Sequence, residues 1–314
     1  MSVSWSSAQI PDQGGRTAIV TGANSGLGLV SVRELARRGA RVVLACRNTQ
    51  KGEEALRAVE AAAPGSQVEL AALDLGDLAS IESFAEWFRS SHGQDGLDLL
   101  INNAGVMAPP RSQTADGFEL QLGTNHLGHF ALTARLIALM DGHSDARVVT
   151  LSSNAHKMGS IDFDDLQSER GYRRWRAYGQ SKLANLMFAL ELDRRLRAAG
   201  STVKSMAAHP GYAATNLQSA AAPAIDRLVM RFTNLLMAQS ADMGALPSLY
   251  AASCPGLEGG SYAGPDGIGE FRGHPHLASA SRAARDEQVA ARLWAVSERL
   301  TGVHFELATP SATL

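Results

Sequence analysis

The sequence predicts one α/β domain built on a doubly wound, parallel sheet of about seven strands with helices on both faces. Three observations carry that prediction. Short β-branched runs alternate with longer helical stretches from about residue 15 to residue 210. The strand runs are almost wholly apolar, as strands covered on both faces must be. No Pro/Ser-rich linker and no repeat of fixed period interrupts the alternation. A chain of 314 residues is also long enough to bury roughly three quarters of its unfolded surface without a disulfide or a metal.

The elements follow in order. Thr17–Thr21 reads as the first strand, and after a glycine-rich turn a helix runs through Leu29 to Arg38 and stops at Gly39. Arg41–Cys46 is the second strand, followed by a helix near Gln50–Ala62 that Pro64-Gly65 ends. Gln67–Ala72 is the third, and a helix over about Leu78–Ser90 follows. Leu97–Ile101 is the fourth, with a long helix over about Ala115–Met140. Arg147–Leu151 is the fifth, followed after an irregular stretch by a helix over about Arg173–Ala199, and Thr202–Ala207 is the sixth. Past Pro210 the text turns Ala-rich, then Gly-rich over 256–273, and closes on a helix near Ser279–Leu300. We divide the chain into a flexible N-terminus (1–14), one domain (15–303) with an internal segment over about 213–240 and a C-terminal extension, and a tail (304–314).

Composition excludes several classes of function. Charged residues make up 19% and balance to a formal net charge of −2, against the basic excess of a nucleic-acid binder. Cysteine occurs twice, at Cys46 and Cys254, without zinc or disulfide spacing, which suits a reducing cytoplasm. The N-terminal stretch has no basic start and apolar core, and the uncharged run Leu120–Ala134 is broken by Gln121, Asn125, His126 and His129. A soluble, cytoplasmic protein is the expectation. His126 and His129 lie three apart on a helix but lack the further ligands a metal needs, and no Gly-x-Ser-x-Gly elbow of a serine hydrolase occurs.

The chemistry begins at Thr21-Gly-Ala-Asn-Ser-Gly-Leu-Gly28, between the first strand and the first helix. Glycines there let the backbone approach a pyrophosphate, and the helix offers free N–H groups and its positive end; glycines also serve ordinary tight turns, so context decides. The second strand ends in Ala45-Cys46-Arg47-Asn48, with no acid to accept from ribose hydroxyls. Arg47 would instead grip a 2′-phosphate, which favours NADP (NADPH) over NAD, the alternative being a solvated arginine. Farther on, Tyr178 and Lys182 fall one helical turn apart on one face. At ~4 Å and an effective dielectric of ~20 an ammonium would favour tyrosinate by up to about 4 kcal/mol, drawing the phenol towards neutrality as a general acid or base.

With these residues in place, the chain resembles the short-chain dehydrogenase/reductases, in the branch similar to retinol dehydrogenases and related carbonyl reductases. Thr21–Gly28, Ala45–Asn48, Asp74-Leu75, Asn102-Asn-Ala-Gly105, Thr124-Asn-His-Leu-Gly-His-Phe130, Ser152-Ser153, Tyr178–Lys182 and Pro210-Gly211 carry the likeness, in family order, over about residues 15–217. The resemblance implies a Rossmann-type fold and a hydride transfer between nicotinamide and a carbonyl or alcohol carbon. It makes Tyr178 the proton donor or acceptor, and gives Lys182 the nicotinamide ribose and the lowering of the Tyr178 pKa. Ser153 becomes the hydrogen-bond donor to the substrate oxygen, and Asn125 the holder of a water that links Lys182 to solvent. Asp74 is to contact the adenine, Asn102 to set its backbone beside the adenine ribose, and Thr215 to meet the carboxamide. Gly22, Asn24, Ser25, Gly26, Leu27, Gly28, Leu75, Ala104, Gly105, Pro210 and Gly211 complete the expected cofactor contacts. A homodimer or homotetramer through the helices near 115–140 and 173–199 is implied as well.

Other readings remain open beside it. Ser153 alone also reads as a turn cap and Asn125 as a core amide. Reduction of a conjugated C=C bond fits the same scaffold, and a cofactor-binding regulator without turnover is a third possibility. The long spacer from Ser153 to Tyr178 carries Arg173, Arg174 and Arg176, a solvated helix start or a contact for an anionic substrate. Residues 224–239 have amphipathic spacing, which fits a lid over an apolar pocket or a helix packed on its own sheet. Absence of the N-terminal anchor common among retinol dehydrogenases sets membrane residence and retinoid use apart as separate questions.

Overall fold

The computed structural model describes residues 4–212 and 239–307. Their strands are β1 (Thr17–Thr21), β2 (Arg41–Cys46), β3 (Gln67–Ala72), β4 (Leu99–Asn102), β5 (Arg147–Leu151), β6 (Lys204–Ala208), β7 (Tyr262–Pro265) and β8 (Pro275–Leu277). They form one sheet in the order β3-β2-β1-β4-β5-β6-β7-β8, parallel throughout except for the last pair. The chain thus winds outward from β1 to β3, then returns to pair β4 on the other side of β1. That reversal leaves a crevice beyond the carboxyl ends of β1 and β4, where open α/β sheets take ligands.

Neither sheet face is polar, yet the strands still alternate between two cores. Ala18, Val20, Val42, Leu44, Leu99, Ile101 and Val149 pack on one side with helices α1 (Gly26–Arg37) and α7 (Ala241–Ser253). Ile19, Val43, Leu100 and Val148 pack on the other, against α3 (Leu78–His92), α5 (Gly128–Leu136), α6 (Arg174–Ala198) and α8 (Glu287–Thr301). Helix α2 (Thr49–Ala62) starts where the Asn48 side chain accepts from Lys51 N at 2.9 Å. The fully buried Arg147 donates to the carbonyls of Ala251 and Cys254, both at 2.9 Å, so β5 satisfies the end of α7. At the N-terminus Ile10 is buried, and Trp5 meets Tyr250 edge-on at 5.3 Å.

Three expectations need correction. The sheet has eight strands rather than about seven: β8 is a short antiparallel edge strand, Pro275–Leu277, at the far edge. Pro275 is tolerated there because it opens an edge strand, and His276 Nδ1 contacts Gly264 O at 2.9 Å. The helix expected from Ala115 starts as α4 (Leu120–Leu122), because the Glu119 carboxylate accepts from the amides of Gln121 and Leu122. It then widens into a π-helical turn, Gly123–Leu127, before α5, and tightens to a 3-10 turn at Ile137–Met140. The final helix begins at Glu287 rather than near Ser279, where Asp286 accepts from the amides of Gln288 and Val289. Residues 213–238, with Thr215 and nearly all of the segment expected to cover substrate, lie outside the described residues.

Candidate active site

The turn after β1 is shaped by what lies against it. Gly22 has φ +63, and a Cβ there would sit 2.8 Å from Ala104 Cα. A Cβ on Gly28 would sit 2.6 Å from Asn103 Nδ2 and 2.7 Å from Gly22 O. Both glycines therefore let the β1 turn, α1 and the β4 turn close on one another, leaving a backbone-lined cradle at the start of α1. Ser25 stands at the N-cap of α1 with no side-chain cap bond, so its hydroxyl is not committed to the helix. Amides at such an end suit a phosphate, and the cradle fits the pyrophosphate of a dinucleotide.

Thr21 and Asn103, which sequence reasoning missed, brace this cradle. Thr21 Oγ1 accepts from Asn103 N (3.0 Å) and Ala104 N (2.9 Å), while Asn103 Nδ2 donates to Thr21 O at 2.7 Å. With both its lone pairs so used, the Thr21 hydroxyl donates to His129 Nε2 at 2.9 Å, and His129 Nδ1 donates to Asn125 O at 2.9 Å. Burial pushes His129 down to about 4 and His126 to about 3. Both rings are neutral struts rather than metal ligands. The only sequence signal for the brace was the doubled amide of Asn102-Asn103. Asn102 itself is fully buried and donates to Thr133 Oγ1 (3.0 Å) and Thr150 Oγ1 (3.3 Å).

Arg47 follows β2 with its side chain 72% exposed and a guanidinium nitrogen 3.8 Å from Asp74 Oδ2. The other Asp74 oxygen accepts from Gly76 N at 2.8 Å, and Leu75 packs against Gly128 on α5. Arg47 and Asp74 follow the carboxyl ends of β2 and β3. Pro210 and Gly211 follow β6, the latter with φ +66.

Ser153, Tyr178, Lys182 and Asn125 converge at the carboxyl ends of β4 and β5. Ser153 N-caps the 3-10 turn Asn154–Met158, its Oγ accepting from Ala155 N at 3.2 Å. The capping and substrate-facing readings of that serine therefore coexist. Tyr178 and Lys182 occupy one face of α6, 8% and 5% exposed. Ser152 Oγ donates to Lys182 O at 2.8 Å, and Lys182 Nζ donates to Leu151 O at 3.1 Å. A Cβ on Gly105 would lie 3.1 Å from Asn125 Oδ1 and 3.5 Å from Lys182 Nζ, so the β4 turn needs glycine where the ammonium sits. Asn125 lies in the π-helical turn, a distortion common at functional sites. Its side chain accepts from Val106 N (2.7 Å) and donates to Val106 O (3.0 Å) and Ser181 Oγ (2.9 Å). With three hydrogen bonds to protein, that amide is a clamp on the β4 turn.

The electrostatics differ from the simple sequence argument. Burial raises the Tyr178 phenol, only partly opposed by a hydrogen bond with Ser153. Lys182 Nζ stands 5.9 Å from the tyrosine ring centroid, and its own pKa is pushed down to about 8 by burial. Desolvation outweighs the Coulomb attraction assumed at ~4 Å, and the phenol stays protonated near neutral pH. A proton donor poised beside a second hydroxyl is the resulting arrangement, one that stabilises negative charge developing on an oxygen.

Of the arginines before α6, Arg176 pairs with Asp162 at 3.0 Å, while Arg173 and Arg174 line a shallow recess with Pro110, Tyr172 and Trp175. No helix among the described residues is long and apolar enough to cross a membrane, and those residues hold no metal-binding cluster.

Comparison with known proteins agrees with this geometry. A family model described as short chain dehydrogenase matches residues 16–226. Human retinol dehydrogenase 12 is 44% identical over 93% of this chain and 88% of its own length. Mouse polyprenol dehydrogenase is 40% identical over 93% of this chain and 86% of its own. A crystal structure of an uncharacterized protein from Mycobacterium paratuberculosis superposes with a TM-score of 0.81 at 47% identity, covering 97% of this chain and all of that one.

Proposed function

The chain belongs to the short-chain dehydrogenase family, and on that premise we propose that it is an NADP-dependent, cytoplasmic oxidoreductase of lipophilic carbonyl compounds or the matching alcohols. The observation that carries the reading is the convergence of Ser153, Tyr178 and Lys182 on the mouth of the glycine cradle. The nicotinamide cofactor, when bound, supplies or takes the hydride. For the remaining chemistry the chain's own groups suffice. Ser153 Oγ and the Tyr178 hydroxyl hydrogen-bond the substrate oxygen, and Tyr178 gives its proton to that oxygen as negative charge develops there. In the reverse direction Tyr178 takes the proton back from the alcohol. Lys182, anchored on Leu151 O, orients toward the ribose and holds positive charge near the phenol, while the Asn125 clamp fixes the β4 turn beside it.

The cofactor choice is supported by Arg47, which no carboxylate replaces at the end of β2 and whose guanidinium is largely exposed. A planar fork of donors there suits a 2′-phosphate. Support for a lipophilic substrate comes from apolar side chains around the site. Met158 is 75% exposed in the turn after Ser153, and the half-exposed Trp175 ring stands edge-on to Tyr178 at 6.1 Å. Two relatives, moreover, are named for isoprenoid alcohols. Free Cys46 and Cys254 suit a reducing compartment.

Side-by-side titration of the purified protein with NADPH and NADH, read by nicotinamide fluorescence, tests the cofactor. NADPH should bind at least about tenfold tighter, and Arg47→Ala should erase most of the difference; equal binding by the unaltered protein refutes the role of Arg47. A panel of carbonyl and enone substrates with product analysis then separates alcohol formation from C=C reduction.

A further inference from the structure

Behind Ser153 lies a polar junction that the proposed reaction does not use. His209, fully buried at the end of β6, accepts from Gly211 N through Nδ1 at 3.3 Å. The proton of its neutral ring therefore sits on Nε2, which stands 3.3 Å from Glu270 Oε2. The pair does not meet hydrogen-bond geometry, so the contact is electrostatic. Lys157 Nζ reaches the same carboxylate oxygen at 3.0 Å, and Asn154 Nδ2 donates to the carbonyls of Gly269 (3.1 Å) and Glu270 (3.2 Å). Glu270 holds a left-handed φ of +57, unfavourable for a residue with a Cβ and retained where surrounding contacts dictate it.

The same loop closes on the two described residues that flank 213–238. Tyr212 N donates to Phe271 O at 2.7 Å, and Gln239 N donates to Tyr212 O at 2.9 Å. Gln239 Nε2 reaches Pro210 O at 2.6 Å, while Gly273 N donates to Gln239 Oε1 at 3.3 Å. Gly264 on β7 has no room for a Cβ, because the His209 ring fills its place, with Nε2 only 2.0 Å from where one would be. One carboxylate thus joins the Ser153 turn, the end of β6 and the root of the segment after Tyr212.

We propose that Glu270 is a positioning residue for substrate, a clamp that holds the Ser153 turn and the Pro210–Tyr212 root at a fixed spacing through His209 and Lys157. The proposal rests on the carbonyl-reductase reading for its kinetic consequence but not for its structural one. Lys157 is 45% exposed, so its ion pair contributes little. The buried imidazole matters more, because Glu270 Oε2 is the acceptor that its desolvated, otherwise unpaired N–H faces. Glutamine keeps that acceptor and alanine does not.

The test compares the full chain with Glu270→Ala and Glu270→Gln, using NADPH and decanal. For Glu270→Ala the KM for decanal should rise about tenfold, equivalent to ~1.4 kcal/mol. Its kcat and NADPH Kd should stay within about twofold, and Glu270→Gln should recover most of the loss. In parallel, hydrogen exchange at the Tyr212, Gln239 and Gly273 amides should accelerate at least about fivefold in the alanine variant and far less in the glutamine one. Unchanged KM together with unchanged exchange overturns the clamp. So does a joint fall of kcat, NADPH affinity and melting temperature that glutamine does not repair, since that marks a merely structural role. Should the unaltered protein leave decanal untouched, the carbonyl-reductase reading fails on its own. The exchange rates then decide the clamp, local acceleration supporting it and unchanged rates overturning it.

Discussion

Lys182 makes the folded protein less stable than it need be, and the size of that effect follows from its surroundings. The residue is 5% exposed, and burial brings its pKa from 10.5 to about 8. At about 1.36 kcal/mol per pKa unit, the difference corresponds to roughly 3 kcal/mol. Below pH 8 folded and unfolded chains both carry the proton, and the folded chain bears the full desolvation cost. Between pH 8 and 10.5 the folded lysine has lost its proton while the unfolded one keeps it. The unfolded state then binds more protons, so stability rises with pH. Tyr178 acts in the opposite sense above about pH 10, where an unfolded phenol ionises and the folded one, its pKa raised by burial, does not. The informative window is therefore pH 8 to 10. In Lys182→Met the Leu151 carbonyl is not orphaned, because Asn185 Nδ2 also donates to it at 2.9 Å. Urea unfolding of the cofactor-free proteins should show the variant more stable by about 2–3 kcal/mol at pH 7, with the gap shrinking below about 1 kcal/mol by pH 10. Turnover should be lost in the same variant. A less stable variant at pH 7, or a gap that does not change with pH, refutes the argument.

Three further outcomes are expected. Tyr178→Phe should lower turnover about 10²- to 10⁴-fold while NADPH titration shows nearly unchanged affinity. Gly28→Ala places a methyl against Asn103 Nδ2 and Gly22 O; it should cost about 1–3 kcal/mol in urea unfolding and weaken NADPH binding at least about tenfold. Arg147→Met strips donors from the carbonyls of Ala251 and Cys254, at about 2–5 kcal/mol; calorimetry should register a melting temperature lower by roughly 5–15 °C.

Much of this architecture was legible because the parallel strands announce themselves. Val42–Ala45 is an uninterrupted apolar run and Val148–Leu151 is broken only by Thr150, and their order among helices dictates the sheet. The Tyr178/Lys182 pair and the β1 turn were legible for a related reason, since both depend on spacing within one element. What escaped depends on partners far away in sequence. Helix α4 starts at Leu120 rather than Ala115 because the Glu119 carboxylate finds two amides, and the π turn at Gly123–Leu127 has no local sign. Strand β8 is three residues long and begins with proline, so only its pairing with β7 defines it. The phenol's direction of titration was misjudged because burial, a tertiary property, outweighs an attraction inferred from helical spacing alone.

The return of the chain to β1 has a consequence during synthesis. Strand β1 offers one edge to β2 at once, but its other edge waits for β4, and Thr21 waits for Asn103 and Ala104. At roughly 5–20 residues per second on the ribosome, the nascent chain spends on the order of 4 to 16 s with that edge bare and the phosphate cradle half built. The first three strands alone therefore lack the completed cradle, and a nicotinamide cofactor finds it only once the tract through Gly105 has emerged.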